Sequence, residues 1–114
     1  MKRIECIIPT ERVSKLNDIL RGFKVGGVTY SNVMGRGRSV PSRMQSSRGA
    51  QSYVPEFEAW SSVVTIVRDE DVQNIIDAIV HLLGTGDARD GKIFVTGVEQ
   101  AIDVGTGRKG ESVI

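Results

Sequence analysis

The sequence predicts a single α+β domain in which strands and helices alternate. Two observations predict it: apolar residues alternate in some segments and recur every three or four positions in others, and the order strand–helix–strand occurs twice. With 114 residues, 39% of them hydrophobic, the chain can bury one core but not two. We therefore expect one domain that spans residues 1–114.

The first half of the chain predicts a strand, a helix and a second strand. Lys2–Pro9 is short and rich in isoleucine, which is typical of a strand. Thr10 can cap a helix with an apolar face, and Gly26 and Gly27 end it. Gly27–Met34 then alternates as a second strand. The apolar residues of the helix are Val13, Leu16, Ile19, Leu20 and Phe23.

The second half repeats this order. Trp60–Val67 is rich in β-branched residues, and residues 69–71 place negative charge at a helix start, where the helix dipole favours it. The helix continues to Gly84, Lys92–Val98 forms a fourth strand, and Ala101–Val104 adds a short fifth strand. The apolar residues of this second helix are Val72, Ile75, Ile76, Ile79, Leu82 and Leu83.

Two such units predict a ferredoxin-like sheet with both helices on one face. The other face stays open, although the strands supply apolar side chains to both faces. A protein of this size gains stability when it buries such a face against copies of itself, so we expect a homo-oligomer. The strand residues concerned are Ile4, Cys6, Ile8, Val64, Ile66, Phe94 and Val95.

Composition excludes several classes of function. The formal charge of +1 argues against a dedicated nucleic-acid binder. The lone Cys6 alternates with apolar neighbours, which predicts a packed thiol in a reducing compartment. His81 lies in the second helix, where we expect a partly exposed side chain. With one His and one Cys, we expect no metal site, no catalytic residues and no enzyme. A signal peptide and a membrane span are not expected, so the chain is predicted to be cytoplasmic.

The segment Gly35–Ala59 lacks any periodic pattern and is much longer than ordinary connections. It contains Arg36, Arg38, Arg43 and Arg48. Two interpretations stay open: a solvated loop without a specific role, or a segment that becomes ordered on a ligand or partner.

Two glycine-rich turns predict an anion site. In Gly35–Arg38, backbone amides can approach an anion while Arg38 adds a guanidinium. Gly84–Lys92 contains Arg89 and Lys92 in a second such turn. Each turn is a weak signal, but oligomerisation could bring the two together around a phosphate.

The whole chain resembles the PII signal-transduction proteins, which are compact ferredoxin-like homotrimers. The order and spacing of the family's motifs hold along nearly all of the chain. The segments that carry the resemblance are MKRIECII at the start, Gly27–Thr29, Gly35–Arg38, Arg48–Ala50, Thr85–Gly86, Asp90–Val95 and Val98–Ile102.

The resemblance implies an adenine nucleotide in each cleft between subunits, with its base and its phosphates held by different segments. It also implies that residues 36–59 form the family's T-loop, which changes shape with the ligand and docks on a target through Arg43, Arg48 and Tyr53. Residues 84–92 form the nucleotide-site loop and 101–114 the C-terminal segment. The resemblance places the base near Ile7, Gly27, Thr29 and Ile66 and the phosphates at Gly37, Arg38, Asp90, Gly91 and Lys92. Gly35, Arg36 and Arg89 complete the implied nucleotide-binding residues.

Two departures from the family pattern concern 2-oxoglutarate. Members that sense it have a glutamine after the GxGR arginine and a lysine near the end of the loop. Here Ser39 and Trp60 stand at those positions, which leaves little to hold a dicarboxylate beside Mg-ATP. We therefore do not expect 2-oxoglutarate sensing. The family carries a modified tyrosine in this loop, and Tyr53 is the matching candidate. The segment before Tyr53 is one residue longer than in the family, so covalent regulation there has little support.

Two further departures concern the phosphates. Asp103 and Gly105 replace a pair of arginines that reach a neighbour's phosphates in the family. Losing two hydrogen bonds to charged groups costs about 3–6 kcal/mol, or roughly two to four powers of ten in affinity. Arg36, Arg89 or Arg108 could compensate. ADP or AMP is therefore expected in preference to ATP, and a role for Mg²⁺ stays open.

The sequence thus predicts a non-nitrogen PII-like protein that senses adenine nucleotide and controls a partner protein, for example a membrane transporter. A nitrogen-regulatory PII that senses ATP and 2-oxoglutarate is the first alternative. An RNA-binding ferredoxin-like module is a second alternative, weakened because the predicted strands Lys2–Pro9 and Lys92–Val98 lack the paired surface aromatics that stack bases. A small phosphate-processing enzyme and a metal-responsive trimer are further alternatives with less support.

Overall fold

The chain alternates strands and helices in the predicted order. The computed structural model describes residues 1–38, 44–45, 52–53 and 56–114, and only the backbone of the two short pairs. The strands are β1 (Lys2–Ile8), β2 (Val28–Gly35), β3 (Met44–Gln45), β4 (Ser52–Tyr53), β5 (Glu58–Val67) and β6 (Lys92–Gly97), and the helices are α1 (Val13–Gly22) and α2 (Val72–Leu83).

Four of the strands form one antiparallel sheet in the order β2-β5-β1-β6. The central strand β1 sets the register: Cys6 lies opposite Val63 of β5 and Ile93 of β6. Both helices contribute to one core with the same face of this strand. The ferredoxin-like α+β prediction is therefore confirmed.

The core lies between this face of the sheet and the two helices. Apolar residues recur at every second position of the strands and at every third or fourth position of the helices, so each element presents one apolar face to the core. Leu16 and Leu20 are four residues apart in α1 and are almost completely buried. Two residues of the predicted helix faces lie outside the core: Phe23, just beyond α1, is 38% exposed, and Leu82 is 47% exposed. The buried apolar residues are Ile4, Cys6, Ile8, Leu16, Leu20, Val63, Val67, Ile75, Ile79 and Leu83.

The two single residues with potential reactivity lie as predicted. Cys6 is buried at 2% exposure, and burial raises the pKa of its thiol to about 11, with a further contribution from the charge of Glu5. The thiol therefore stays protonated at neutral pH. His81 is exposed on α2.

The open face of the sheet is uncovered in the single chain. Glu5 lies in its middle, opposite Val64 and Phe94. Ser62 donates a hydrogen bond of 2.6 Å to its carboxylate, which holds the pKa of Glu5 below its usual value, with Arg3 adding to the effect. Phe94 is 52% exposed. Such exposed apolar groups on a sheet fit the predicted homo-oligomer, which stays a prediction.

Three boundaries differ from the sequence expectations. Strand β5 begins at Glu58 rather than Trp60, because its first residues continue the ladder with β2 and pair with Gly35 and Met34. The patternless connection contains the short antiparallel pair β3–β4. The predicted strand at residues 101–104 is wrong: this segment makes one isolated bridge, between Ile102 and Lys109.

Asp103 explains why residues 101–104 form a turn. Its carbonyl oxygen accepts a hydrogen bond of 2.8 Å from the amide of Gly107. Its carboxylate accepts from the Thr106 hydroxyl at 2.7 Å and the Gly105 amide at 3.3 Å. An aspartate that satisfies nearby backbone groups in this way favours a turn over an extended strand.

In the part of the chain that the structure describes, no helix is long and apolar enough to cross a membrane.

Leu82 and Leu83 give a matched test of this packing. We expect Leu83→Ala, at 5% exposure, to lower the free energy of unfolding by about 2–5 kcal/mol, because it leaves a cavity in the core. Leu82→Ala, at 47% exposure, should cost about 1 kcal/mol or less. Urea unfolding followed by circular dichroism measures both, and equal losses would contradict the observed orientation of α2.

Candidate functional site

A cavity of about 680 Å³ lies at one end of the sheet. The carboxyl end of β2 and the amino end of β6 meet there, since antiparallel neighbours bring opposite ends of the chain to the same edge. Most of the predicted phosphate-binding residues line it, from both glycine-rich turns. The lining residues are Ile7, Gly35, Arg36, Gly37, Arg38, Trp60, Ala88, Arg89, Gly91, Lys92 and Phe94.

Gly91 allows the second turn to lie against β1. Its φ is 123°, a conformation that side chains rarely adopt. A Cβ at this position would collide with the carbonyl oxygen of Ile7 and lie 3.1 Å from Cγ2 of Ile8. Only glycine therefore lets Lys92, the next residue, pair with Ile7 and line the cavity.

Asp90, which was predicted to hold phosphate, closes the turn instead of lining the cavity. Its carboxylate accepts hydrogen bonds from the amide of Thr85 at 2.6 Å and from the hydroxyl of Thr85 at 2.8 Å. These bonds hold the pKa of Asp90 below its usual range, and the charge of Arg12, 4.0 Å away, contributes. Arg12 also donates to the carbonyl oxygen of Leu83 at 2.5 Å, which fastens the end of α2 to α1.

Four cations line the cavity, and they differ in their partners. Arg36 pairs with Glu56 at 2.6 Å and Arg89 with Glu58 at 2.5 Å. Within the described part of the chain, the Lys92 ammonium makes only a long hydrogen bond of 3.3 Å, to the carbonyl oxygen of Ala88. Arg38 has no ion-pair partner among the residues that the structure describes. The cavity therefore presents positive charge suited to phosphate or carboxylate groups.

Sequence reasoning missed two aromatic residues of the wall, Trp60 and Phe94. The Arg89 guanidinium carbon lies 5.9 Å from the centre of the Trp60 ring. A Cβ on Gly35 would lie 3.4 Å from Cδ1 of that ring, an ordinary van der Waals distance, so Gly35 packs beside the indole. Alternation along the strands could have indicated that Trp60 and Phe94 lie on the same face of the sheet as Ile7. Placing both in one cavity also requires the order and register of the strands, which the sequence does not give.

The residues that the resemblance assigned to the nucleotide base lie mostly elsewhere. Gly27, Thr29 and Ile66 line a second cavity of about 580 Å³, together with residues of the C-terminal segment. Thr65 donates a hydrogen bond of 2.7 Å to the carbonyl oxygen of Gly27, which fixes that wall. Only Ile7 among the base residues lies with the phosphate residues. One chain thus does not bring the two sets together.

Part of the predicted partner-binding loop is outside the described residues. Arg43, Arg48 and Ser39 fall there, while Tyr53 lies in β4, opposite Met44. No group of three or more His, Cys, Asp or Glu side chains that could hold a metal ion occurs within residues 1–38 and 56–114.

Arg108, a predicted source of compensating charge, lies in the turn that Asp103 organises and does not line the first cavity. Arg36 and Arg89 do line it. Within one chain, Arg36 and Arg89 are therefore the two of these three arginines that lie at the cavity.

Gly91 and Gly37 provide a matched pair for testing the cavity. We expect Gly91→Ala to weaken binding of inorganic pyrophosphate at least about tenfold and to lower the melting temperature, because the turn must move away from Ile7. Gly37→Ala lines the same cavity without any atom within 4 Å of the new Cβ, so the fold and melting temperature should be unchanged. Calorimetry and thermal unfolding give both results; a Gly91→Ala variant with unaltered stability and binding would contradict the role of this glycine.

Comparison with known proteins agrees with the resemblance that the sequence carries. The family described as "Nitrogen regulatory protein P-II" matches residues 1–108. Nitrogen regulatory protein P-II 2 of Methanothermobacter thermautotrophicus is 33% identical over 114 residues, which cover all of this chain and 97% of that protein. Nitrogen regulatory protein P-II of Azospirillum brasilense is 34% identical, and that of Haemophilus influenzae 35% identical, each over the full length of both chains. The chain belongs to the nitrogen regulatory protein P-II family.

Proposed function

We propose that this P-II family member is a regulatory protein, not an enzyme, that binds an adenine nucleotide between the subunits of a homotrimer. The observation that carries the proposal is the cavity where Gly35–Arg38 meets Gly91 and Lys92. Phosphate can bind to the backbone amides of these glycine-rich turns. It can also bind to Arg38 and Lys92, two cations that have no carboxylate partner among the described residues. The family match favours a cytoplasmic protein.

The positions of the two cavities support a site that is completed by a neighbouring subunit. Thr29 lies in the second cavity and Gly35 in the first, at opposite ends of β2. Six steps along a strand span about 20 Å, which is longer than a nucleoside monophosphate or diphosphate. A base near Thr29 and phosphates near Gly35 therefore belong to different subunits.

The charges favour ADP or AMP over ATP. Asp103 and Gly105 supply no cation, and the Asp103 carboxylate is already used within its own turn. Arg36 and Arg89 line the cavity, but each is paired with a glutamate. A ligand with fewer phosphates needs less compensation, because repulsion between its own charges and nearby carboxylates is smaller.

The Trp60 ring in the cavity wall argues against 2-oxoglutarate as a second ligand. An indole offers one N–H donor and no positive charge, whereas a dicarboxylate needs cations or several donors. We propose that the nucleotide alone shifts the population of loop conformations that dock on a partner. A membrane transporter is one such partner. The regulatory role would then respond to the energy state rather than to nitrogen supply.

Calorimetric titration of AMP, ADP and ATP tests this proposal, each with and without Mg²⁺ and 2-oxoglutarate. ADP or AMP should bind more tightly than ATP, and 2-oxoglutarate should leave all three affinities unchanged. ATP binding that is strengthened by 2-oxoglutarate would contradict the proposal and indicate a nitrogen sensor, as the names of the relatives suggest. Absence of binding for every nucleotide would exclude the nucleotide-sensing function.

The phosphate end of the site is tested by Arg38→Ala. Because a hydrogen bond to a charged group contributes about 1.5–3 kcal/mol, ADP affinity should fall at least about tenfold. Arg21→Ala removes an exposed arginine of α1 that lines neither cavity and is the control. Circular dichroism should be the same for both variants. Equal ADP affinity in Arg38→Ala and the unaltered chain would remove this phosphate site.

A further inference from the structure

Arg89 takes part both in the wall of the large cavity and in an ion pair. Its side chain lines the large cavity, and its guanidinium is bonded to the carboxylate of Glu58 at 2.5 Å. The pair is half-buried, with 33% of the Arg89 side chain and 19% of the Glu58 side chain exposed. Its guanidinium carbon also lies 5.9 Å from the centre of the Trp60 ring. One cation of the cavity is therefore already held by a carboxylate of the chain.

Glu58 connects this cation to the strand that follows the long loop. It is the first residue of β5 and lies opposite Gly35, which lines the cavity. Arg89 lies in the short helical turn Ala88–Asp90, directly before β6. The pair thus joins two segments that are 31 residues apart in sequence, and it fastens the start of β5 to the turn that carries Lys92.

An anion that enters the cavity changes this balance. A guanidinium binds carboxylate or phosphate through the same planar set of donors, so a bound anion and Glu58 compete for Arg89. The Glu58 charge also repels an anion at short range, in an environment where water screens less than it does at an open surface. Both effects favour a bound state in which Arg89 faces the ligand instead of Glu58.

We propose that Arg89 is a switch residue: it leaves Glu58 for the anionic group of a ligand in the cavity and thereby releases the start of β5 from the Ala88–Asp90 turn. This inference rests on the proposed function, because it takes a phosphate-bearing ligand in the cavity as its starting point. Glu58 then sets the affinity, since every ligand must displace it. By thermodynamic linkage, the state of the loop's returning end and the ligand affinity affect each other equally.

A second pair in the same region gives the control. Arg36 also lines the cavity and is bonded to Glu56 at 2.6 Å. Both side chains are exposed, at 60% and 66%, and exposed ion pairs contribute little. Glu56→Gln therefore removes a glutamate of the same region, also bonded to an arginine of the cavity, without breaking the half-buried contact.

The test compares Glu58→Gln, Glu56→Gln and Arg89→Gln with the unaltered chain. Calorimetry with ADP and with inorganic pyrophosphate gives the affinities. Glu58→Gln should bind both about three- to tenfold more tightly, because no carboxylate has to be displaced. Glu56→Gln should stay within about twofold. Arg89→Gln should bind about tenfold more weakly, since the ligand loses a charged donor.

Trp60 is the only tryptophan of the chain and reports on Arg89 directly. ADP should change its fluorescence in the unaltered chain, and ligand-free Glu58→Gln should already approach the spectrum of the bound state. Hydrogen exchange at the amides of residues 58–60 should become faster when ADP binds to the unaltered chain. This last measurement needs no substitution and so does not depend on how any variant folds.

The outcomes separate the two proposals. If the unaltered chain binds neither ADP nor pyrophosphate, the proposed function and the switch both fail. If it binds, but Glu58→Gln binds equally or more weakly, then Glu58 positions Arg89 for the ligand rather than competing with it, and the switch alone is overturned. Unchanged hydrogen exchange at residues 58–60 would overturn it as well.

Discussion

Gly91 lies with a φ of 123° against the carbonyl oxygen of Ile7, and the candidate site depends on this contact. It brings the start of β6 onto β1 and so turns Lys92 towards the end of β2. The turn before it is kept compact by Asp90, which binds Thr85. Backbone geometry at a glycine thus positions charged side chains that come from distant parts of the sequence.

Charge in the cavity follows from this geometry. The turns bring four cations together, and the returning end of the loop supplies two glutamates that neutralise half of them. The more buried pair, Arg89 with Glu58, lies beside the single tryptophan. An anion can gain most from Arg38 and Lys92, which have no carboxylate partner among the described residues. The switch proposed at Arg89 would link its binding to the loop.

Much of the fold was predictable because apolar periods depend on local geometry, and local geometry is encoded in neighbouring residues. The site was predictable only in part. Gly91 and Lys92 follow from a glycine-rich turn, but the roles of Glu58 and Trp60 depend on the register between β2 and β5. The contact of Asp90 with Thr85 could not be predicted, because residue type alone does not reveal an internal partner. A short polar turn at Asp103 was likewise taken for a strand, since its side-chain hydrogen bonds leave no periodic pattern.

The positions of the two cavities link the proposed function to the proposed assembly. The residues implied for the base and those implied for the phosphates lie at opposite ends of β2. A ligand that needs both sets can bind strongly only where a second subunit places its own cavity beside the first. Such a ligand stabilises the assembly by the same free energy with which the assembly strengthens binding. The loop leaves the sheet at this junction, between Gly35 and Glu58, so a ligand there acts on the loop through the strands that hold its two ends.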